Sequence, residues 1–171
     1  MITGRNASRA VAGGFTLLEL IVVLGLLGVL LGLASPSLRG FFASRQTADA
    51  AAQMLALTQL AGSRAAAQGT VYRLNIDEET NTYWLTFQQE GEFVDLGSEF
   101  GRRFQLPKGT TIRAQSPLDD VPLSYISFYP NGRTDEAVIE LLGLQQERYR
   151  LVCESVTEAF HVVTPLEAQG L

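Results

Sequence analysis

Cysteine and histidine are nearly absent from this chain, and each absence narrows what the protein can be. Cys153 is the sole cysteine and His161 the sole histidine. A single cysteine excludes a disulfide within the chain. A metal site would have to be completed by carboxylates or by the thiol, and no spacing suggests one. We therefore expect neither a metal nor a cofactor, and Cys153 is either a small buried hydrophobe or a link between two chains.

Basic residues are also in short supply. The chain has 13 Lys and Arg against 18 Asp and Glu, which gives a formal net charge of -5. A nucleic-acid-binding domain is expected to show a basic excess instead. We expect no nucleic-acid partner.

The residues that usually carry catalysis form no recognisable set here. Cys153 and His161 lack an evident third residue to orient a nucleophile and base pair. The acidic stretches at 77–79 and 119–120 are tempting as calcium ligands, but they are more typical of solvated turns. We predict that the protein is not an enzyme, with no catalytic and no metal residues.

The most informative feature that is present is an apolar run over residues 15–34, in which Glu19 is the only charge. Twenty residues at about 1.5 Å each span roughly 30 Å, which is the thickness of a bilayer core. Arg5 and Arg9 precede the run without any acid. The positive-inside rule then places the N-terminus in the cytoplasm and exports the rest. A carboxylate in such a segment is costly and calls for a partner.

The start of this run carries a motif that reads Gly14, Phe15, Thr16, Leu17, Leu18, Glu19. It resembles the class III signal of type IV prepilins and type II secretion pseudopilins. The resemblance implies that a prepilin peptidase removes residues 1–14 by cutting between Gly14 and Phe15 and then N-methylates Phe15. It also implies that Glu19 engages the terminal amine of a neighbouring subunit, in line with the tendency of buried charges to pair. The leader departs from the pattern because residues 10–14 contain no basic side chain.

Two other interpretations of the N-terminal segment stay open. An ordinary signal anchor explains the length and the flanking arginines, but it requires neither Glu19 nor a Gly-Phe junction. A cleaved secretory signal finds an A-x-A-like site at 32–34, although its apolar region would exceed the usual length of about 7 to 15 residues.

Beyond the membrane segment, 15–36, the composition predicts that the helix continues as an amphipathic periplasmic half over 37–68. Pro36 removes a backbone donor and is predicted to kink the helix; pilin-family helices commonly have a proline at this depth. Gly28 and Gly32 form a GxxxG pattern, which fits close helix packing or composition alone. The apolar face expected to pack on the globular domain includes Met54, Leu57, Leu60 and Ala61.

From residue 69 the apolar period becomes two. Residues 71–76 and 82–88 alternate on either side of a polar turn, which predicts a hairpin. Further strands are predicted at 92–96, 104–106, 110–114, 124–129, 137–142, 148–153 and 159–163. Many short strands after one long helix predict an α+β fold, in which antiparallel sheets of a single domain, 69–171, pack on the helix.

A second motif lies near the other end of the chain, at residues 128–132, with the sequence Phe-Tyr-Pro-Asn-Gly. Followed by a strand over 138–141, it is similar to the F-x-P-(D/N)-G signature of GspH/FimT-type minor pseudopilins. This family implies a pilin-like fold and a structural role in a periplasmic type II secretion pseudopilus, anchored in the bacterial inner membrane before assembly. The implied partners are the prepilin peptidase, other pseudopilins, the inner-membrane assembly platform and the lipid bilayer.

Two alternative functions remain at this stage. A FimT/FimU-like minor pilin of a type IV pilus or a DNA-uptake system would share the same architecture. A signal-anchored periplasmic enzyme or binding module belongs to another class and is disfavoured by the missing site residues.

Overall fold

A computed structural model describes residues 15–163, with side chains for all of these except 32–43. The leader 1–14 and the last residues, 164–171, therefore lie outside the described part. The chain forms two units, Met1–Arg39 and Gly40–Leu171, which we describe in turn.

Helix α1, Leu17–Gln68, begins in the first unit and ends in the second. Pro36 lies inside this helix, and the predicted kink there stays a prediction. The helix ends where the sequence predicts, because Gly69 adopts φ +67° and its amide donates to the Ala65 carbonyl at 3.0 Å. Glycine tolerates this left-handed conformation better than any other residue and commonly terminates helices.

In the second unit, short strands follow the helix, as the period-two pattern predicts. A short 3-10 turn, Glu99–Gly101, lies between the third and fourth strands. The strands are β1 Tyr72–Asp77, β2 Thr82–Gln89, β3 Glu92–Asp95, β4 Phe104–Gln105, β5 Thr111–Gln115, β6 Tyr125–Phe128, β7 Ala137–Leu142, β8 Arg148–Cys153 and β9 His161–Val163. Each predicted strand is confirmed to within two residues at its ends.

The strands form two antiparallel sheets. The first sheet has the order β3-β2-β1-β6, with β4 also paired to β2, and the second has the order β5-β7-β8-β9. The predicted hairpin is the β1–β2 pair, in which Tyr72 lies opposite Phe87 and Asp77 opposite Thr82. The α+β class with antiparallel sheets is confirmed.

The core of the second unit lies between the helix and the inner faces of both sheets. Buried helix positions recur every three or four residues, and they are Thr47, Ala50, Ala51, Met54, Leu57, Thr58, Ala61 and Ala65. Their apolar members share one cluster with Tyr72, Leu74, Tyr83 and Leu85 of the first sheet and with Ile112, Ile139, Leu141 and Leu151 of the second. The predicted contacts of Met54, Leu57 and Ala61 are confirmed, and Leu60 is partly buried.

A polar contact joins the helix to the second sheet within this core. The Thr47 hydroxyl lies 3.1 Å from the Thr110 hydroxyl and donates to Glu147 Oε1 at 3.0 Å. A Cβ at Gly143 would overlap the Glu147 carboxylate and the Thr47 hydroxyl. Glycine at that position therefore leaves the room that this contact needs.

The two sheets are linked through the turn between β1 and β2. Asn81 Oδ1 accepts a hydrogen bond from the Ile112 amide at 3.1 Å, and Glu78 Oε1 accepts one from the Ala114 amide at 2.9 Å. Strand β5 is an edge strand of the second sheet. Its two amides that point away from β7 are therefore bonded by side chains of the first sheet's turn.

Candidate functional site

The described chain begins at the candidate processing site. Gly14 lies outside the described residues, whereas Phe15 is 84% exposed. Thr16 precedes the first helical residue; its side-chain oxygen accepts the Glu19 amide at 3.2 Å, and its carbonyl accepts the Leu20 amide at 3.2 Å. Thr16 is therefore the N-cap of α1. A Ser or Thr N-cap followed three residues later by Glu is the capping-box pattern. Thr16 and Glu19 therefore also predict this helix start, in addition to the family motif that contains them.

Glu19 lies at the third position of the helix and is exposed. A negative charge in the first turn is favoured by the partial positive charge of the helix N-terminus. Among the described residues, no donor or cation contacts its carboxylate. The site therefore presents an exposed acid beside Phe15, available to a cation that the described chain does not supply.

The N-terminal part of the chain, residues 15–31, exposes apolar side chains to solvent. Every large apolar residue from 15 to 31 is exposed, from 45% at Val23 to 84% at Phe15. Gly28 has no atom within 4 Å of the position a Cβ would occupy, and the side-chain environment of Gly32 is outside the described set. A contiguous apolar surface of this extent is typical of a region that another molecule covers.

Within the part of the chain whose side chains the structure describes, no helix is both long and apolar enough to cross a membrane.

In the second unit, the candidate nucleophile and base do not meet. Cys153 is fully buried, and its thiol contacts the carbonyls of Ser155 and Glu158 at 3.3 and 3.4 Å. Burial raises the pKa of this thiol, which disfavours the reactive thiolate. His161 is exposed and lies opposite Val152, whose side chain points to the other face of β8 from that of Cys153. The pair forms no dyad, and Cys153 behaves as a small core residue.

The acidic stretches have structural tasks. Asp77 Oδ1 accepts the amides of Thr80 and Glu79, each at 3.0 Å, and these hydrogen bonds, that from Thr80 above all, lower its pKa. Asp120 Oδ1 accepts the Gln115 side-chain amide at 2.9 Å. In the described part of the chain, no three His, Cys, Asp or Glu side chains come close enough to hold a metal ion.

The turn at 128–132 borders a groove of about 320 Å³ that lies between the helix, this turn and the loop at 157–160. Phe128 is buried and lies 6.3 Å from the Phe160 ring, centroid to centroid. The turn closes through the Tyr129 amide, which donates to the Arg133 carbonyl at 2.8 Å, and Gly132 adopts φ +81°. The aromatic residue thus anchors the turn in the core, and the glycine supplies the conformation that the turn requires.

Comparisons with known proteins match both ends of the chain. The sequence pattern of the family described as type II transport protein GspH matches residues 50–157. The prokaryotic N-terminal methylation motif matches residues 9–35. Together the two matches include the candidate processing site, the buried part of the helix from Ala50 onward and all but the last of the strands.

One curated relative is the pilin-like protein PilA1 of Thermus thermophilus, which is 42% identical over 92 residues. That match covers 52% of this chain and 56% of the relative, so the chain spans little more than half of that protein's length.

Two solved structures show the same fold at low sequence identity. The minor pseudopilin EpsH from the type 2 secretion system of Vibrio cholerae is 12% identical with a TM-score of 0.60, over 70% of this chain and 98% of that one. The type IV minor pilin FimU of Pseudomonas aeruginosa is 15% identical with a TM-score of 0.50, over 74% of this chain and 94% of that one. The helix and the two sheets therefore form a pilin-like fold.

Proposed function

This chain belongs to the GspH family of type II transport proteins, and from that membership we propose that it is a minor pseudopilin, a structural subunit of a type II secretion pseudopilus. The observation that carries the proposal is the contrast between the two units. The second unit buries its apolar side chains in one core, whereas the first exposes all of its large ones from 15 to 31. A helix of this kind suits a subunit that is held in a filament through its helix and exposes its domain.

We propose that the N-terminus is processed as in prepilins. A prepilin peptidase would cut between Gly14 and Phe15, and Phe15 would then be N-methylated. The match to the methylation motif over residues 9–35 supports this step. In the mature chain the new amine at Phe15 and the exposed Glu19 carboxylate would lie one helical turn apart, so either can pair with its counterpart in a neighbouring subunit.

We further propose that the subunit waits in the bacterial inner membrane before assembly. Its N-terminus would face the cytoplasm and its β-rich domain the periplasm, because Arg5 and Arg9 precede the apolar run. The inner-membrane assembly platform would then transfer it into the filament, where Gly28, Gly32 and the neighbouring apolar side chains pack on the helices of other pseudopilins. In that setting the filament assists the export of folded proteins across the outer membrane.

A second candidate function is that of a minor pilin in a type IV pilus or a DNA-uptake system. The 42% identity to a pilin-like protein and the shared fold with FimU favour it. The two functions predict different phenotypes when the gene is deleted. Deletion of the gene should stop secretion of folded enzymes if the subunit serves a pseudopilus, and should stop twitching or DNA uptake with normal secretion if it serves a pilus.

The proposed processing is tested by the intact mass and N-terminal sequence of protein extracted from membranes. We expect a mature chain that starts at methylated Phe15 in cells with active prepilin peptidase and an uncut chain in cells without it. A product that starts at Ser35 would instead identify a conventional secretory signal, and an uncut chain in both strains would identify a plain anchor. Either of those results would overturn the pseudopilin function.

A further inference from the structure

The outer face of the first sheet, which points away from the helix, carries an unusual set of side chains. Because Tyr72, Leu74 and Ile76 of β1 point into the core, Arg73 and Asn75 point outward. Asn75 lies opposite Trp84 on one neighbouring strand and opposite Tyr125 on the other. Paired residues share a face, so the only tryptophan of the chain and a tyrosine that is 45% exposed both lie on this surface.

Arg73 is held on this surface by two rings. Its guanidinium carbon lies 3.5 Å from the centroid of Phe93 and 4.2 Å from that of Tyr125. Both distances are short for cation-π contacts. The Nε atom of Arg73 is buried and has no hydrogen-bond partner within the described structure. The side chain is thus fixed in place by the two rings.

A second arginine is positioned in the same way. The guanidinium carbon of Arg103 lies 3.9 Å from the centroid of the Trp84 ring. Rings that hold a guanidinium in one orientation reduce the entropy lost when a partner binds it. Two arginines and three aromatic rings therefore form a pre-ordered surface, which we call the Arg-aromatic face: Arg73, Trp84, Phe93, Arg103 and Tyr125.

The acids near this face form no ion pair with its arginines, although the charge of Arg103 adds to the hydrogen bonds from Thr80 and Glu79 in lowering the pKa of Asp77. Asp77 accepts backbone amides of its own turn, and Asp135 accepts the Ser127 amide and the Tyr129 hydroxyl. Asp95 lies opposite Thr86 at the edge strand. Among the described residues, neither Arg73 nor Arg103 has a carboxylate within ion-pair distance.

We propose that the Arg-aromatic face is a docking surface for a carboxylate-bearing segment of another protein. The planar guanidinium matches a carboxylate through two parallel hydrogen bonds, and tryptophan, tyrosine and arginine are the residues most enriched at the energetic centres of protein interfaces. A nucleic acid fits less well, because a polyphosphate backbone is bound through many basic side chains and this face offers two. The face lies opposite to the helix, so a partner reaches it whether or not the helix is packed in a filament.

Trp84 provides a direct test because it is the only tryptophan, and its fluorescence reports on this face alone. The full chain in detergent micelles is titrated with a short peptide of alternating glutamate and threonine, with the same peptide carrying glutamine for glutamate, and with single-stranded DNA. We expect a saturable change in Trp84 emission with the glutamate peptide, weakened by added salt, and none with the glutamine peptide.

Variants separate this face from general electrostatic attraction. Arg73→Gln and Arg103→Gln should each weaken binding of the glutamate peptide about tenfold, the effect of losing one charge-assisted contact. Arg73→Lys should bind the glutamate peptide with an affinity between those of the wild type and Arg73→Gln, because lysine keeps the charge but loses the planar fork. Arg113→Gln is the matched control: Arg113 lies on β5 of the second sheet and is exposed, so its loss should change binding by less than about twofold.

Arg103 is exposed, so Arg103→Gln should fold even if Arg73→Gln does not. Equal binding of the glutamate and glutamine peptides, an equal loss in Arg113→Gln, or no saturable change in wild-type emission would each overturn the proposal. Tighter binding of DNA than of the glutamate peptide would replace a protein partner with a nucleic acid.

Discussion

Glu19 takes part in the start of the helix through its backbone amide and through the charge of its side chain. Its backbone amide donates to the Thr16 side chain, and its carboxylate lies in the first helical turn. The capping hydrogen bond depends on Thr16. The attraction of the carboxylate to the helix N-terminus and to a cation depends on the charge of Glu19. Substitutions can therefore separate the helix start from the proposed pairing with the amine of Phe15.

We predict that Glu19→Gln is cut and inserted normally but enters filaments poorly. Glutamine keeps the capping-box residue type, while the Phe15 ammonium of a neighbour loses its partner in an apolar medium, which costs about 3 to 5 kcal/mol for a fully buried pair. Glu19→Ala should fail in the same way, and Glu19→Asp should be intermediate. Co-purification with other pseudopilins from solubilised membranes measures incorporation.

The control for this prediction is Thr16→Ala, which removes the cap and keeps the charge. It should weaken the helix start by about 0.5 to 2 kcal/mol, measured by hydrogen exchange of the first turn, with incorporation largely retained. Wild-type incorporation of Glu19→Ala would show that the carboxylate has no assembly role in this subunit.

Tyr83 is a buried residue whose titration is altered by the fold. Burial raises its pKa to about 12, and its hydroxyl donates to Gln53 Oε1 at 3.2 Å. The unfolded chain ionises near the ordinary value of about 10. The stability that comes from the neutral phenol is therefore complete below about pH 10 and is lost as the pH rises towards 12.

We predict that an ultraviolet titration of tyrosinate in the folded protein shows a component near pH 12 that disappears in Tyr83→Phe. The same variant should lose less stability between pH 10 and 12 than the wild type. Tyr129→Phe, at an exposed position, should leave the component in place. Retention of the component in Tyr83→Phe would assign it to another tyrosine.

At the scale of elements, the local pattern was sufficient for the strands and for the helix end. Period-two alternation identifies β1 and β2 because one face of each is buried, and Gly69 marks the end of α1 because its conformation suits glycine. The buried helix stripe was predicted only in part. Thr47, Ala50 and Ala51 are buried, but threonine and alanine add little to an apolar pattern and pass unnoticed in the sequence.

The pairing between distant strands could not be read from the sequence. β1 pairs with β6, more than 45 residues further along the chain, and this register depends on tertiary packing rather than on local period. The same pairing brings Tyr125 next to Asn75 and so creates the Arg-aromatic face. The N-terminal motif, by contrast, can be recognised from the sequence because its residues are contiguous.

We predict that Met54→Ala destabilises the domain by about 2 to 5 kcal/mol, because Met54 is fully buried where the helix meets the sheets and the change leaves a cavity. Gln59→Ala, one and a half turns further along on the exposed side, should change stability by about 0.5 kcal/mol or less. Urea unfolding followed by circular dichroism gives both values. Equal effects would mean that the helix does not pack on the sheets through this face.

At the scale of the whole molecule, the two units have opposite solvent requirements. The second holds a packed core that includes the helix stripe from Thr47 to Ala65, and the first exposes its large apolar side chains from 15 to 31. Removal of the first unit should therefore leave a domain that needs no lipid or detergent.

We predict that a chain beginning at Ser37 is soluble, folded and monomeric. Circular dichroism should show helix and strand together with one cooperative melting transition, and light scattering should give the monomer mass. The full-length chain in the same buffer without detergent serves as the control and should aggregate through its exposed apolar helix. Aggregation or an unfolded spectrum of the shortened chain would show that the boundary or the one-domain arrangement is wrong.

The hydrogen bonds that side chains of the β1–β2 turn accept from strand β5 affect how neighbouring domains can interact. An edge strand with unpaired amides invites the same strand of another molecule, and sheets that fuse in this way seldom separate. Ile112 and Ala114 offer no free amides because Asn81 and Glu78 of their own chain already accept them. Crowded domains can therefore touch along this edge without fusing their sheets.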